Sequence, residues 1–474
     1  MKIFGMAILF FSALLLADSA TINLPIDTSK NHIIFPAGNA AFAPFLHKID
    51  SLLYTGSGTV NILHLGGSHI QADVISNRVR TRFVRDLQLP ASGRGFVFPY
   101  TAARSNTPAS YVSRRKGHFK WTRSVRKNRR QPLGLIGFEV TTIDPEAEIR
   151  IVLNTRISKE NFWHFTKVRI FGFSPDSIEP VLQMTSGGER LFGVHDSQSS
   201  SFAFDLPSRS DSLILTFSRK DSHSEKIFRD SIYSLDSLQR DSLFADSSFF
   251  AGHPSFTLTG ILLSDTVPGL TYNSIGVNGA DLGSYLSLEN LERDLDFSRP
   301  DLVIFAIGIN DANVEKFNAE LFKSRYDTLV SRIRKVSPKA AFLFVANNDC
   351  HLTKTSKPNP NTAAVSQASL ELAQKHRGGF WDLYEVMGGF RSMETWRKAD
   401  YAKKDFVHFK NPGYELLGDL MFDALLEIIR PEAPKVTEIP KDLPLLKQTP
   451  RSKKKVKRST PKKQTSVKKE EAKP

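Results

Sequence analysis

Apolar and polar positions follow two different patterns along this chain. Towards both ends, short apolar runs typical of strands are followed by longer stretches whose apolar residues recur at helical spacing. The strand-type runs occupy residues 60–65, 301–307, 340–345 and 379–383, and the helical patterns occupy residues 42–53, 70–87, 314–336, 363–376 and 412–429. This alternation of strands and helices predicts a parallel sheet with helices on both faces.

The middle of the chain has a different pattern. Its short runs alternate apolar and polar residues, and turn residues separate one run from the next. These runs are residues 137–142, 148–153, 167–171, 202–206, 212–217 and 255–263. The pattern predicts an all-β sandwich at 103–268, inserted into an α/β domain that comprises residues 21–102 and 269–432.

Two stretches fit neither pattern clearly. Residues 91–100 contain glycines and aromatic residues and predict a loop. Residues 222–248 repeat the pair Asp-Ser, while their apolar residues lie at roughly helical spacing. The second stretch therefore predicts a surface helix or loop, and its composition indicates no function.

The beginning of the chain resembles a secretory signal. Residues 1–20 have a charged start at Lys2, an apolar stretch and an end of small residues. An uncleaved anchor is the alternative, although the apolar stretch is short for a membrane span. We therefore expect an exported protein that is periplasmic or extracellular.

The end of the chain is strongly basic. From Lys435 onward the sequence contains 14 Lys and Arg residues and 4 Asp and Glu residues, a net charge of 14 − 4 = +10. The net charge of the whole 474-residue chain is +15, so most of it lies in this segment. The composition predicts a disordered tail at 433–474. Its expected partner is an anionic wall polymer or a membrane surface, and simple solubilisation is the alternative. Export argues against nucleic acid as a partner.

A second basic stretch lies in the predicted sandwich. Arg114, Arg115 and Lys116 precede Trp121, and five basic residues follow between positions 123 and 130. Basic residues around an aromatic side chain suit an acidic glycan, and a solvated loop is the alternative.

Cysteine usage and motifs limit the chemistry. Cys350 is the single cysteine, so no intrachain disulfide can form, and we expect it to be an ordinary, partly buried thiol. The sequence contains no His-Glu-x-x-His motif, no paired cysteines, no P-loop and no Rossmann fingerprint. We therefore expect no metal and no organic cofactor.

A glycine turn is the first candidate for chemistry. Gly66, Gly67, Ser68 and His69 lie where a predicted strand turns into a predicted helix. Ligands bind at the carboxyl ends of the strands in open α/β sheets, and a serine exposed there suits a nucleophile. The alternative for these four residues is a turn with an N-capping serine.

Three further stretches fall at or near predicted element ends, and each is weak by itself. They are residues 272–280, which contain Gly279, residues 305–311, which contain Asn310, and residues 405–409, which contain Asp405 and His408. Taken together and in this order, the four blocks resemble those of the SGNH (GDSL-type) hydrolase family. The letters of that name match Ser68, Gly279, Asn310 and His408. The resemblance extends from about residue 35 to residue 430. Within the family, the sequence is similar to the subgroup of peptidoglycan O-acetylesterases, which carry a carbohydrate-binding-module-like β insert.

The resemblance implies a fold and a set of roles. The fold is a three-layer α/β/α, flavodoxin-like parallel sheet with an inserted β-sandwich. Ser68 is the nucleophile, His408 is the general base and acid, and Asp405 orients the imidazole. The backbone N–H groups of Ser68 and Gly279 and the side-chain amide of Asn310 form the oxyanion hole.

This chain departs from the family at one position and leaves other roles open. Gly67 stands where the family usually has an aspartate that supports the turn, and its absence is expected to loosen the oxyanion hole. His69 and Asn348 are weaker candidates for contacting substrate, although packing of the turn is the alternative for His69. Asp311 is expected to cap a helix that begins near Asn313.

The sequence therefore predicts an exported serine esterase, monomeric by default, that removes O-acetyl groups from a cell-wall or extracellular polysaccharide. Peptidoglycan is the favoured polymer, and the reaction passes through an acetyl-Ser68 intermediate. One alternative is a glycan-binding protein with a vestigial hydrolase site, which Gly67 and the basic surfaces would explain. Another is a lipase or thioesterase on the same fold.

Overall fold

The computed structural model describes residues 21–127, 129, 132–154, 163–174, 178–183 and 188–446. The predicted signal peptide and residues 447–474 of the predicted tail lie outside these ranges. The strands are β1 Thr21–Ile22, β2 Ile33–Ile34, β3 Thr59–Gly66, β4 Gly95–Val97, β5 Val112–Lys116, β6 Lys120–Arg123, β7 Phe138–Thr142, β8 Glu148–Val152, β9 Phe165–Phe173, β10 Ile178–Gln183, β11 Arg190–Phe192, β12 Val194–Asp196, β13 Ser201–Ser210, β14 Ser212–Arg219, β15 Phe256–Ser264, β16 Gly269–Gly276, β17 Leu302–Ala306, β18 Ala341–Val345, β19 Gly379–Trp381 and β20 Leu443–Pro444. The α-helices are α1 Ala43–Thr55, α2 Ser68–Gln71, α3 Val74–Arg85, α4 Ser222–Tyr233, α5 Ser237–Ala245, α6 Ser247–Ala251, α7 Leu282–Leu286, α8 Leu291–Asp296, α9 Ala319–Val336, α10 Asn361–His376, α11 Leu383–Val386, α12 Ser392–Lys398 and α13 Asn411–Ile429.

A parallel sheet forms the framework of the site. Its strand order is β16-β3-β17-β18-β19, all parallel, and β2 pairs with β19 as an antiparallel edge. The four predicted strand runs correspond to β3, β17, β18 and β19, so the predicted sheet is confirmed. Because β3 lies between β16 and β17, the turn that follows it is flanked by the ends of these two strands.

Alternate residues of the sheet pack against different helices. Leu63 and Leu65 belong to a core cluster that includes the apolar faces of α9 and α10. Val60 and Ile62 belong to a second cluster with α1, α3 and α13. The period-2 alternation along β3 therefore buries both faces of the sheet under helices, as the sequence pattern predicts.

The middle of the chain forms two antiparallel sheets. One has the order β11-β10-β14-β8-β5, and the other has the order β12-β13-β9-β15-β7-β6, with β4 also paired to β15. Phe217 of the first sheet and Phe256 of the second are in ring contact, with centroids 5.2 Å apart. The predicted strand runs are confirmed, whereas the domain boundaries at 103 and 268 stay predictions.

A predicted loop and part of the basic stretch around Trp121 form strands. Residues 95–97 form β4 and bond to residues 261–263 of β15, so the aromatic stretch joins the second β sheet. Basic residues of the second stretch, for which a solvated loop is the alternative, lie in β5 and β6, which pair with β8 and β7 respectively. Local composition misleads at these places because the hydrogen-bonding partners are distant in sequence.

The β region and the parallel sheet share one hydrophobic cluster. Phe171 of β9 contacts Phe297, which follows α8, with ring centroids 5.4 Å apart. The N–H of Leu133 donates to Glu289, and Gly134 pairs with Asn290. The β region is therefore packed firmly against α7 and α8 beside the site.

The Asp-Ser repeat has a structural explanation. Asp221, Asp236 and Asp246 are the N-caps of α4, α5 and α6, and each carboxylate accepts a hydrogen bond from a backbone N–H of the first turn. The stretch therefore forms three short capped helices, of which α4 and α5 pack through Ile232 and Phe244 against Ile143 of the β region. The prediction of a surface helix is confirmed.

The predicted helix at 70–87 is wrong in one respect. The chain forms α2 and then restarts as α3, because Asp73 adopts a left-handed conformation with φ of 55°. Asp73 is buried between two buried arginines, with Arg80 Nη2 3.0 Å from one carboxylate oxygen and Arg94 Nη2 2.7 Å from the other. Burial alone would raise the pKa of Asp73, but the two guanidinium groups outweigh it and lower the pKa.

Replacement of Asp73 by asparagine is expected to destabilise the fold by about 3 kcal/mol, because two buried guanidinium groups lose their counter-charge. Asparagine tolerates the left-handed backbone, so the change isolates the charge. Urea unfolding of the purified variant measures the effect. The control is Asp296→Asn, at an ion pair with Arg299 in which the aspartate is 55% exposed and little change is expected. Equal small changes in both variants would contradict a stabilising role for the buried cluster.

In the part of the chain that the structure describes, no helix has the length and apolar character needed to cross a membrane.

Candidate active site

Ser68 lies just past the carboxyl end of β3, between the ends of β16 and β17. β3 ends at Gly66, and Ser68 begins α2 immediately after Gly67. A Cβ at position 66 would lie 2.3 Å from Ile70 Cγ1 and 2.9 Å from the carbonyl oxygen of Ala306. The turn is therefore tight enough to require glycine there, and it brings the serine hydroxyl to the open edge of the sheet.

Three catalytic candidates form a hydrogen-bonded chain. Ser68 Oγ lies 2.7 Å from His408 Nε2, although the two residues are 340 positions apart. His408 Nδ1 lies 2.9 Å from Asp405 Oδ2. This is the arrangement needed for the imidazole to take the serine proton while the carboxylate holds its other nitrogen.

The loop before α13 orients Asp405. One carboxylate oxygen accepts from the backbone N–H groups of Val407 and His408, each at 2.9 Å, which leaves the other oxygen for the imidazole. Partial burial would raise the pKa of Asp405, but the hydrogen bonds from the His408 ring and these two N–H groups outweigh it and lower the pKa. The carboxylate is therefore ionised throughout the neutral pH range.

The predicted oxyanion donors meet at the same place. Gly279 follows β16, and Asn310 follows β17, the two strands that flank β3. Gly279 has φ of 83° and is exposed, so glycine permits the left-handed turn there. The Asn310 side-chain amide donates to the carbonyl of Ala280 at 2.8 Å, which fixes its orientation and leaves its second N–H for a ligand.

Gly67 does not leave a void in the site. A Cβ at this position would lie 3.2 Å from Asn310 Nδ2. The amide of Asn310 therefore packs directly over the glycine, in the space where a larger residue would begin. The loosening expected from the missing aspartate is not visible in the geometry of Asn310.

Replacement of Asn310 by alanine is expected to lower kcat by about a hundred-fold with a small change in KM, because the amide stabilises charge that develops in the transition state. Hydrolysis of 4-nitrophenyl acetate measures both constants. The control is Asn39→Ala, since Asn39 is exposed and its side chain makes no capping bond. A rise in KM alone would indicate that Asn310 binds substrate rather than the oxyanion.

The two weaker candidates lie behind the site instead of lining it. His69 Nδ1 lies 2.8 Å from the hydroxyl of Tyr414, and burial lowers the pKa of His69 to about 3. Asn348 is buried, and its amide donates to the carbonyls of Asp349 and Val407. Both side chains thus support the turn of Ser68 and the loop of His408, and neither is among the residues that line the pocket.

Asp311 does not cap a helix near Asn313. The next helix, α9, begins at Ala319 and is capped by Asn318. Both carboxylate oxygens of Asp311 instead accept from the N–H of Leu282, at 3.3 Å. Burial and the nearby Asp281 raise the pKa of Asp311 to about 7. The prediction failed because the partner helix, α7, is distant in sequence.

An open pocket of about 420 Å³ lies over Ser68 and His408. Sequence reasoning missed several residues of its wall, because no local motif marks them. They are Asn106, Asn278, Asn313, Thr353 and Lys403. Cys350 also reaches the pocket, but burial raises the pKa of its thiol to about 12, which makes it a poor nucleophile.

Gln71 connects three segments around the pocket, a role for which its place in the turn is the only local signal. Its carbonyl oxygen accepts from the N–H of Asn278 at 2.7 Å, and its amide donates to Ser105 Oγ at 2.8 Å and to the carbonyl of Asn106 at 3.2 Å. The buried side chain therefore joins the turn of Ser68 to the loop that carries Gly279 and to the chain entering the β region.

Comparison with known families supports this arrangement. The model of the GDSL-like lipase/acylhydrolase family matches residues 241–416. That range includes Gly279, Asn310, Asp405 and His408 but not Ser68, which the β region separates from the others along the chain.

Solved structures show a similar fold. A peptidoglycan O-acetylesterase structure matches with a TM-score of 0.64 and 20% identity, covering 84% of this chain and 99% of that one. A lipase/acylhydrolase from Enterococcus faecalis matches with a TM-score of 0.28 and 19% identity over 35% of this chain and 80% of that one. The acetylxylan esterase Axe2 from Geobacillus stearothermophilus matches with a TM-score of 0.27 and 16% identity over 34% and 73%. The last two scores are too low to support an inference.

No curated protein matches this chain significantly. The family match nevertheless spans the blocks around Gly279, Asn310 and His408, and the similar fold covers most of the chain. They support an SGNH-type esterase and confirm the predicted resemblance.

Proposed function

We propose that this SGNH-type esterase is exported and removes O-acetyl groups from a cell-wall or extracellular polysaccharide, with peptidoglycan the favoured polymer. The observation that carries the proposal is the hydrogen-bonded series of Ser68, His408 and Asp405 at an open pocket. Ser68 Oγ lies 2.7 Å from His408 Nε2, and His408 Nδ1 lies 2.9 Å from Asp405 Oδ2. Such a chain activates a serine for attack on an ester carbonyl.

The first step acylates the serine. Ser68 Oγ attacks the acetyl carbonyl while His408 Nε2 takes the hydroxyl proton, and the oxyanion is held by the N–H groups of Ser68 and Gly279 and the amide of Asn310. Collapse of the tetrahedral intermediate breaks the bond to the sugar oxygen. His408 returns the proton to that oxygen, so the sugar leaves as a free alcohol and the acetyl group stays on Ser68.

The second step regenerates the enzyme. A water molecule enters the place that the alcohol left, gives a proton to His408 Nε2 and attacks the acetyl-Ser68 carbonyl. The same three donors hold the second oxyanion. Its collapse releases acetate, and the proton held by His408 returns to Ser68 Oγ. Asp405 stays ionised in both steps and stabilises the imidazolium.

The pocket and the fold support a sugar ester as substrate. The walls carry four asparagines, at positions 106, 278, 310 and 313, and amide groups are well suited to hydrogen bonds with sugar hydroxyl and acetamido groups. The solved structure whose match spans 99% of its chain is that of a peptidoglycan O-acetylesterase. A small acetyl group also fits a pocket that is open to solvent better than a long acyl chain does.

The proposal extends to the parts around the site. The sheet with helices on both faces is taken as the three-layer SGNH arrangement, and the β region is taken as an inserted sandwich that holds the glycan. Export follows from residues 1–20, and the basic tail at 433–474 is proposed to bind an anionic wall polymer or a membrane surface. Detection of the protein outside the cytoplasm, without residues 1–20, tests the export proposal.

The decisive experiment measures acetate release by the purified mature protein from O-acetylated peptidoglycan, with acetylated xylan and 4-nitrophenyl acetate in parallel. Release from peptidoglycan above that from xylan is expected. Hydrolysis of the small ester without release from either polymer would overturn the substrate but keep the chemistry. Absence of activity on all three would favour a vestigial site, and glycan binding would then be measured instead.

A further inference from the structure

The wall of the active-site pocket carries positive charge and lacks negative charge. Lys403 lines the pocket and is exposed, and it has no ion pair among the described residues. No Asp or Glu side chain belongs to the lining formed by the described part of the chain. Asp405 is ionised beside this wall but is hydrogen-bonded to the His408 ring at 2.9 Å, so the lining itself presents the charge of Lys403 to a ligand that bears carboxylates.

A basic segment of the β region lies directly beside the oxyanion loop. Val125, which follows β6, has a side-chain methyl 4.0 Å from the Cβ position of Gly279. The neighbouring Ser124 donates its N–H to the carbonyl of Gly137, whose Cβ position lies 2.8 Å from a methyl of Val277. Residues 123–127 are therefore held next to the loop that carries Gly279.

The cations of this segment are not neutralised by carboxylates. Arg126 is exposed, and its guanidinium stacks over the ring of Trp121 at 4.2 Å. Lys127 is exposed and has no ion pair among the described residues, while Arg123 Nε is buried without a hydrogen-bond partner in the same part of the chain. Arg129 differs, because its guanidinium pairs with Glu289 at 3.1 Å.

A further cation lies on another segment of the rim. Arg104 is exposed, with no ion pair in the described ranges, two residues before Asn106 of the pocket wall. The hydrogen bond between Asn278 and Asn106, at 2.5 Å, holds this segment against the oxyanion loop. Lys403 thus lines the pocket, and two further segments that touch the oxyanion loop, through Val125 and through Asn106, carry cations without an ion pair among the described residues. We name these residues the rim cations: Arg104, Arg123, Arg126, Lys127 and Lys403.

We propose that the rim cations form an anion-binding site that holds carboxylates of an acidic glycan while its acetyl ester occupies the pocket. The proposal rests on the proposed function and adds that the substrate is anionic. Arg126 is suited to this role because stacking on Trp121 holds the guanidinium in place, so less conformational entropy is lost when a carboxylate binds. The carboxylates can belong to the sugar or to a peptide attached to it.

The test compares charge reversal at the rim with charge reversal elsewhere. The test variant is Arg126→Glu/Lys127→Glu, and the matched control is Lys220→Glu/Lys226→Glu. Lys220 and Lys226 are exposed at the start of α4, they do not line the pocket, and the change in net charge is the same. Both variants and the parent are assayed on O-acetylated peptidoglycan and on 4-nitrophenyl acetate.

The measured quantity is the ratio of kcat/KM for the polymer to kcat/KM for the neutral ester. The ratio is expected to fall about tenfold or more in the test variant and to stay near the parent value in the control. The parent ratio should fall as salt is raised from 0.05 to 0.5 M, since ions screen exposed charges, and the test variant should lose most of this dependence. Equal ratios in the two variants would overturn the proposal, while activity on both substrates would leave the proposed function standing.

Two further substrates identify the source of the carboxylates. In peptidoglycan the sugar carboxyl is amide-bonded to the peptide, so strands freed of their peptides carry only sugar carboxylates, and intact strands with amidated peptides carry neither source. A charge effect on intact strands that is lost on peptide-free strands assigns the site to peptide carboxylates, and one that is kept on peptide-free strands shows that the site takes sugar carboxylates. A charge effect that persists on fully amidated strands would contradict an anion-binding site.

Discussion

Ser68→Ala is expected to reduce acetate release to the uncatalysed background, with a loss in kcat of roughly a million-fold, as in other serine hydrolases that lose the nucleophile. The substitution removes only the hydroxyl group, whose hydrogen-bond partner is His408 Nε2 at 2.7 Å. The acetyl-enzyme cannot form without it, so the oxyanion donors have no tetrahedral intermediate to stabilise. Acetate release from the polymer and hydrolysis of 4-nitrophenyl acetate should both be lost.

The fold should survive this change, because Ser68 lies at the surface of the turn and the turn depends on Gly66 and on backbone bonds. The melting temperature of the variant is therefore expected to match that of the parent. Ser287→Ala is a suitable control, since it removes a hydroxyl that only bonds Ser284 at the end of α7. Retained activity in Ser68→Ala would mean that another group is the nucleophile and would refute the proposed mechanism.

Asp405→Asn is expected to lower kcat by about a thousand-fold at every pH of the neutral range. The asparagine amide would donate to His408 Nδ1, so the ring proton would move to Nε2, which could then no longer accept the proton of Ser68. Asp405 is 46% exposed, so water partly replaces its electrostatic effect. For this reason we expect a loss below the ten-thousand-fold or so that a buried triad carboxylate can give.

Asp400→Asn provides a control with matched exposure. Asp400 is also 46% exposed and lies in the same loop region, where it pairs with Lys410 instead of a histidine. Its replacement should leave kcat nearly unchanged. A similar loss in both variants would show that the loop needs negative charge in general, and a loss in neither would show that His408 keeps the required tautomer without Asp405.

Much of the fold could be predicted because its determinants are local. Strands β17, β18 and β19 are continuous apolar runs, and β3 is an apolar run interrupted by Asn61 and His64, as expected for strands with helices on both faces. The glycines at 66 and 279 mark turns that other residues could not form. The blocks that contain Ser68, Asn310 and His408 are each weak alone but could be recognised together and in this order, and the structure places them at one edge of the sheet.

Other features depend on partners that are distant in sequence, and only the tertiary structure decides them. The helix after Ser68 breaks at Asp73 because that carboxylate is buried between Arg80 and Arg94, a choice no local propensity reveals. Residues 95–97 become a strand only because β15 offers an edge.

The same reason explains what was missed in the site. The sequence alone determined the type of chemistry, since it specified a nucleophile turn, two oxyanion blocks and an Asp-x-x-His loop. It could not determine that Asn106 and Lys403 share the pocket wall, or that residues 123–127 lie against Gly279. These positions depend on how the β region packs on α7 and α8, because a binding surface built from several segments exists only once they are packed together.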